Sequence, residues 1–317
     1  MHYKRKKTNK ISLEKVSGKL DYNMTNDYMF RAVLQSNKKV LAGIIGALLH
    51  VDPESLHVEI QNPIILGQSF ENKDVILDIN VSVNNRSRLN LEMQIVNYGN
   101  WKERSLSYLC RSFDNVYKGK DYISAYPVMQ VSFIDFTLFP ESPEFYATYL
   151  LRNIRNNKVY TDKLQLSVME LNNIDLATKE DRFYKLDKWA AFFKAKTWKE
   201  LKAMAATDQY MKAATNTIFE LSSDENIREL CRRREEYEAY ERHRNAEVKG
   251  LKRTIAGLSQ VNANLSQKNA DLSQENVDLS QKNADLSREN ASLAQANADK
   301  DLEIAQLKEQ LAQKYTN

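Results

Sequence analysis

Apolar and polar residues alternate between positions 74 and 96 of this 317-residue chain. The apolar side chains hold the odd positions: Val75, Leu77, Ile79, Val81, Val83, Leu89, Leu91, Met93 and Ile95. Most even positions are polar, among them Asp78, Asn80, Glu92 and Gln94. Such period-two alternation predicts a β-hairpin with one buried face, and the other face then carries two carboxylates and an amide.

A three-residue turn at positions 84–86 would set the register of this hairpin. It would pair Val83 with Ser87, Asn80 with Asn90, Asp78 with Glu92 and Ile76 with Gln94. Directly opposed side chains lie on one face about 5 Å apart, so two carboxylates there repel each other unless a cation or solvent intervenes. Oxygen ligands suit Mg²⁺. There are two alternatives to a metal site. In one, the two carboxylates simply face solvent; in the other, a one-residue shift in the turn separates them along the ladder.

Helix and strand patterns alternate around the hairpin. Strand patterns cover residues 56–66, 126–136 and two segments within 144–171, and helix patterns cover 27–34, 38–49, 101–119 and 176–246. Thr25 or Asn26 can cap the first helix, Asn37 the second, and Gly119 can end the third. This order of elements predicts an α/β (α+β) core followed by a helical region.

The C-terminal part of the chain is a heptad repeat. Leucine recurs every seventh residue from Leu251 to Leu293, and asparagine does so from Asn262 to Asn297. With leucine at d and asparagine at a, the pattern predicts a coiled coil. Paired asparagines fix register and favour two parallel strands at a cost in stability. We therefore expect a homodimer through residues 251–317; a single polar helix that frays and associates weakly is the alternative.

Composition indicates the cellular compartment that we expect for the protein. The only two cysteines, Cys110 and Cys231, cannot build a disulfide framework, which favours a reducing compartment. The N-terminal segment has no apolar region typical of a signal peptide, and the longest apolar run, residues 40–49, is too short to span a bilayer. These features predict a soluble, cytoplasmic protein without a membrane partner.

Charge adds one local feature. The net charge is only +4, but the basic residues near the start form a short arm: Lys4, Arg5, Lys6, Lys7 and Lys10. Such an arm can contact nucleic-acid phosphates. An ordinary solubilising terminus is the favoured alternative on sequence alone.

The hairpin and its neighbours resemble a nuclease family. "DINV…NLEMQ" resembles the D-x(n)-E-x-K/Q core of the PD-(D/E)XK nuclease superfamily, and more narrowly its recombination-promoting nuclease/putative transposase family. "NDYMFRAVL", "ERSLSYLCRSF" and "LDKWAAFFKAKTWKEL" resemble that family's opening helix, Arg-x-x-x-Tyr helix and helical C-terminal part. The likeness spans about residues 22–250. It implies a restriction-endonuclease-like αβββαβ core and Mg²⁺-dependent hydrolysis of DNA.

The resemblance also implies roles for single residues. Asp78 and Glu92 would hold Mg²⁺ with the backbone carbonyl of Met93. Asp27, on the first helix, matches an acidic residue that approaches the metal in the family.

Gln94 stands where the superfamily usually has lysine, and a neutral amide supplies no positive charge to a phosphate. Lys73 could substitute for the lysine, but its odd position aims it at the opposite face. Arg104 and Tyr108 lie one helical turn apart and would contact a DNA phosphate.

The expected organisation has four parts: a basic arm (1–20), a nuclease core (21–175), a helical region (176–250) and a coiled coil (251–317). The expected function is that of a Mg²⁺-dependent DNA endonuclease. The alternative is a catalytically weak or inactive nuclease-like protein that binds DNA and oligomerises through its coiled coil.

Overall fold

The structure is a computed structural model that describes residues 12–61, 64–65, 75–76, 78–114 and 121–315. Its helices are α1 (Asp27–Ser36), α2 (Lys38–Leu49), α3 (Trp101–Phe113), α4 (Lys179–Phe183), α5 (Leu186–Lys194), α6 (Trp198–Ala205), α7 (Gln209–Ser222) and α8 (Glu225–Tyr315). Its strands are β1 (Val58–Ile60), β2 (Ile64–Ile65), β3 (Val75–Ile76), β4 (Ile79–Val83), β5 (Ser87–Gln94), β6 (Val128–Ile134), β7 (Tyr146–Leu150) and β8 (Leu164–Glu170).

Six strands form one mixed sheet in the order β1-β4-β5-β6-β8-β7. The pairs β1–β4, β4–β5 and β7–β8 are antiparallel, whereas β5–β6 and β6–β8 are parallel. The predicted αβββαβ succession is present as α1, β1, β4, β5, α3 and β6. The mixed α/β architecture is therefore confirmed.

The register of the hairpin agrees with the sequence prediction over the length of its ladder. Val83 pairs with Ser87 and Asn80 with Asn90, so the turn is the three-residue one. Asn84 and Asn85 both have positive φ, which asparagine tolerates better than most residues. The predicted pairing of Ile76 with Gln94 is wrong: Ile76 pairs with Ile64 in a separate two-stranded sheet.

Along the central strands β4, β5, β6 and β8 both faces of the large sheet are mostly buried, which corrects the expectation of one buried face. On one face, apolar side chains of β4, β5 and β6 pack with those of α1, α2 and α5 to α7 in the main core. On the other face, Trp101 and Leu109 of α3 pack on Val128, Ile134 and Leu166. Four polar side chains of the hairpin are also buried: Asn80, Asn90, Glu92 and Gln94.

Asparagine side chains cap the N-termini of the first two helices. Asn26 accepts hydrogen bonds from the backbone of Tyr28 and Met29, and Asn37 caps α2 in the same way. Helix α3 ends earlier than predicted, with Asp114 at its C-cap. Gly119 is therefore not the C-cap and lies outside the described residues.

Residues 12–20, which the sequence assigned to the arm, contact the folded core. Leu20 donates a backbone hydrogen bond to Lys196, and the side chain of Lys202 donates to the carbonyls of Glu14 and Val16. The five basic residues that define the predicted arm lie outside the described residues.

Contacts divide the chain into two units, which meet between Asn245 and Ala246. The second unit is helical throughout its described length. On its outer face, glutamine side chains donate to aspartates four residues later, as Gln267 does to Asp271 and Gln274 to Asp278. Such pairs stabilise an exposed helix by a few tenths of a kcal/mol each. The heptad leucines stay about half exposed in the single chain, as Leu272 does at 47%.

Among the described residues, no single helix has the length and apolar character needed to cross a bilayer. The pair α1 and α2, bent by 107°, meets those criteria jointly, by length and composition only.

Candidate active site

Asp78 and Glu92 meet at one end of the hairpin. Asp78 immediately precedes β4, and continuing the observed register by one residue places it opposite Glu92. Its Oδ2 accepts a hydrogen bond of 3.1 Å from the backbone N–H of Met93. Glu92 is 2% exposed, whereas Asp78 keeps part of its surface accessible. Thus Glu92 is almost completely enclosed, and Asp78 is enclosed except for a part of its surface.

Both carboxyl groups have raised pKa values. Burial raises the pKa of Asp78 to about 6, and Asp27 nearby adds to the rise while Arg31 and Arg104 oppose it. Burial likewise raises the pKa of Glu92 to about 7; Asp78 adds to this rise, and Arg104 and Gln130 oppose it. Enclosed carboxyl groups with pKa values this close to neutrality are typical of functional sites, although structural ion pairs also produce them.

Arg104 joins the two predicted site residues Glu92 and Gln94. Its Nη2 lies 2.6 Å from Glu92 Oε1, and its Nη1 donates to Gln94 Oε1 at 2.9 Å. Its Nε donates to the hydroxyl of Tyr108 at 3.2 Å, one turn further along α3. The guanidinium is thereby held by three side chains and remains one-third exposed.

Gln94 is oriented from both ends of its amide. Its Nε2 donates to the carbonyl of Val96 at 2.6 Å, while its Oε1 faces Arg104. The amide nitrogen of Gln94 therefore donates to the backbone, and its amide oxygen orients the guanidinium of Arg104. Lys73, the possible substitute for a lysine here, lies outside the described residues.

Asp27 lies beside the hairpin carboxylates but is bound by two arginines. Its Oδ1 is 3.1 Å from Arg234 Nε on α8, and its Oδ2 is 3.9 Å from Arg31 Nη2. The side chain is largely buried, and its charge is felt at Asp78. Apart from Lys73, the structure therefore brings together the residues that the sequence named for the site.

Two buried side-chain amides form a hydrogen-bonded network with Glu92 that the sequence analysis did not predict. Asn90 donates to Gln130 Oε1 at 2.7 Å, and Gln130 Nε2 donates to Glu92 Oε2 at 3.1 Å. Gln130 and Ser132 are the polar positions in an otherwise apolar strand pattern. The two residues are two positions apart, which puts both on the sheet face that carries Glu92. This spacing is the sequence signal for buried polar groups beside Glu92.

The donor set is compatible with a hard divalent cation but does not form a complete cage. Glu92 Oε1 is buried without a hydrogen-bond partner of good geometry, although it is ion-paired with Arg104. Two neighbouring carboxylates and backbone oxygens are the ligands that Mg²⁺ prefers, with water and phosphate completing the shell. Within the described part of the chain, no cluster of three or more His, Cys, Asp or Glu residues is arranged for a metal.

A family model described as "PD-(D/E)XK nuclease family transposase" matches residues 24–246. The matched range contains all the site residues and ends close to the boundary between the two units. No curated protein and no solved structure matches the chain.

Proposed function

Because the chain belongs to the PD-(D/E)XK nuclease family transposases, we propose that it is a Mg²⁺-dependent endonuclease that hydrolyses DNA phosphodiester bonds. Family membership itself indicates a nuclease that acts on DNA. The observation that carries the finer proposal is the juxtaposition of Asp78 and Glu92, enclosed together with raised pKa values.

Asp78 and Glu92 would hold the cation, with the carbonyl of Met93 as a third donor. When bound, Mg²⁺ neutralises charge on the phosphate and makes water a better nucleophile. The backbone N–H of Met93 orients Asp78, and Gln130 orients Glu92. Asp27 would contribute negative charge nearby while its own carboxylate stays paired with arginines.

Arg104 would bind the DNA phosphate, together with Tyr108. A guanidinium presents several donors in a plane and suits a phosphate better than a point charge does. Gln94 acts through Arg104, because its amide oxygen fixes the guanidinium beside Glu92. The positive charge that a motif lysine would supply thus comes from the neighbouring helix.

A second function is favoured by the same ion pair. Arg104 occupies the oxygen of Glu92 that a cation would use. If this pair persists in the presence of Mg²⁺, the protein binds DNA without cutting it, and the tail makes it an oligomeric interaction protein.

The two functions differ in a plasmid-nicking assay. Supercoiled DNA should be nicked in Mg²⁺ and stay intact in EDTA. Asp78→Asn and Glu92→Gln should each lower the rate at least 100-fold, since each removes a ligand charge at almost constant volume. Glu59→Gln, on β1 and accessible to solvent, is the matched control and should cut at the parental rate.

Binding is measured separately with Ca²⁺ in place of Mg²⁺. A parent that never cuts, with DNA affinity unchanged in both carboxylate variants, would favour the binding protein over the enzyme.

A further inference from the structure

The end of the sheet remote from the candidate active site carries a second group of chemically distinctive residues. Strand β5 reaches the candidate site at Gln94 and begins at Ser87. Around its start lie three segments, residues 84–88, 121–126 and 151–163, which we call the basic–aromatic surface. Arg88 lies over the ring of Tyr126 at 5.6 Å, and Lys163 Nζ donates to the carbonyls of Ile123 and Ala125. These contacts join the three segments into one surface.

The surface is positively charged. Its basic side chains are Arg86, Arg88, Arg152, Arg155, Lys158 and Lys163. It contains two acidic residues, Asp121 and Asp162, and Asp121 accepts a hydrogen bond from the backbone of Ile123. The excess of positive charge suits a polyanion.

Large apolar side chains are exposed among these charges. Tyr122 is 86% exposed, Tyr160 81% and Ile154 97%. Single exposed apolar residues are common on soluble proteins. Here two tyrosines and an isoleucine are concentrated on one basic surface, which is typical of a binding site.

The loop that presents Ile154 and Tyr160 has a defined backbone. Asn153 N–H donates to Lys158, Asn157 N–H donates to Asn153, and Tyr160 N–H donates to Leu151, each at 2.9 Å. Residues 152 and 159 also form an isolated β-bridge. The exposed side chains therefore project from a hydrogen-bonded turn, and binding there would need little ordering of the backbone.

We propose that the basic–aromatic surface binds single-stranded DNA outside the candidate active site. Exposed tyrosine rings stack on unpaired bases, while arginine and lysine contact the phosphates. The base faces of a duplex are already stacked and are closed to these rings. Arg88 and Gln94 are six strand residues apart, about 20 Å, so the surface binds nucleotides other than the one at the candidate site. The choice of DNA over RNA rests on the proposed function.

The test is fluorescence anisotropy in EDTA with the full-length protein and three labelled probes: dT20, a 20-base-pair duplex and U20. Tyr122→Ser/Tyr160→Ser should raise the Kd for dT20 about tenfold or more and leave the duplex Kd unchanged. Arg152→Gln/Arg155→Gln/Lys158→Gln should lower the salt slope for dT20 by about 2, since each phosphate contact contributes about 0.7.

The matched control is Lys179→Gln/Lys188→Gln/Lys199→Gln, which removes three exposed charges from α4, α5 and α6. It should leave the salt slope unchanged, and circular dichroism should show that all variants are folded. Parental affinity of the tyrosine variant for dT20, or an equal loss of slope in the control, would overturn the proposal. Tighter binding of U20 than of dT20 would overturn the assignment to DNA.

Cleavage distinguishes this proposal from the proposed function. If the parent never nicks plasmid but the tyrosine variant still loses dT20 affinity, the surface is supported and the endonuclease is not. If nicking is normal and the tyrosine variant binds dT20 like the parent, the surface proposal alone fails.

Discussion

Gln94 occupies the position of the usual superfamily lysine, and its contacts give this departure a physical reason. The amide oxygen accepts a hydrogen bond from Arg104, and the amide nitrogen donates to Val96. A lysine ammonium has three donors and no acceptor, so it could not replace the first contact. In this chain the site's positive charge lies on α3, and an amide is the better partner for it.

Restoring the lysine should therefore lower activity. Gln94→Lys would put a second cation beside Arg104, displace the guanidinium and slow nicking at least tenfold. Gln94→Met removes the acceptor without adding charge and should give a smaller loss. The measurement is the nicking rate in Mg²⁺ beside DNA affinity in Ca²⁺. A lysine variant faster than the parent would show that Gln94 is a degraded catalytic position.

The two carboxyl groups make stability depend on pH and on cations. Their pKa values, about 6 for Asp78 and about 7 for Glu92, exceed the ordinary values of 3.8 and 4.5. The protonated forms are thus favoured by folding; their contribution is complete below the ordinary pKa values and is lost as pH rises through 6 to 7. Above pH 7 both groups are charged and largely enclosed, and the proposed cation would offset that cost.

Mg²⁺ should therefore raise the Tm by several degrees at pH 8 and little at pH 5.5. At ten times its Kd a ligand stabilises by about 1.4 kcal/mol. Differential scanning fluorimetry in EDTA and in Mg²⁺ measures the shift. Asp78→Asn/Glu92→Gln should abolish the Mg²⁺ effect; an equal shift in that variant would place the cation elsewhere.

At the scale of elements, the first turns of α8 close the first unit over α1. Asn26 donates to the carbonyl of Cys231, and Arg234 is bound to both Asp27 and Glu238. Glu238 is buried, as is Asp27. Arg234 therefore neutralises two enclosed carboxylates from two helices, beside the candidate site.

Removing this arginine should destabilise the first unit strongly. Arg234→Ala leaves both carboxylates buried without their cation, and breaking such a pair costs about 3 kcal/mol or more. Arg233→Ala is the control, because Arg233 is 70% exposed and its ion pair with Glu229 is on the surface. Urea unfolding measures both. Equal midpoints for the two variants would mean that Arg234 contributes no more than a surface charge.

At the scale of the whole molecule, the tail raises the question of assembly. The heptad leucines are about half exposed in the single chain, and the asparagines at a give up apolar burial for register. We propose a parallel homodimer through residues 251–317, which would place two nuclease cores in one particle.

Two tests address the dimer. Deleting residues 251–317 should reduce the number of chains per particle in light scattering from two to one. Leu265→Asp/Leu279→Asp, at d, should also give one chain per particle, because it puts charge into the seam. Ala270→Asp/Ala284→Asp, at the outer b position, is the matched control and should leave the dimer intact. The same number of chains per particle before and after the deletion would contradict the dimer.

The sequence alone determined the local order of this protein. The alternation of apolar and polar residues predicts the strands, and the asparagines at 84 and 85 favour the hairpin turn. Counting residues outward from that turn gives the register from Val83–Ser87 to Asn80–Asn90. The resemblance to the nuclease family points to Asp78, Glu92 and Asp27 without three-dimensional information. These features come from neighbouring residues, whose periodicity fixes which side chains share a face.

Only the tertiary structure decided what covers each face and which distant groups meet there. Periodicity could not show that the polar side chains of the hairpin are buried, or that Arg104 binds Gln94. Nor could it show that Arg234 reaches Asp27 from more than 200 positions away. The pKa values of the carboxyl groups follow from that burial and those charges, so they belong to the packed molecule and to no stretch of its sequence.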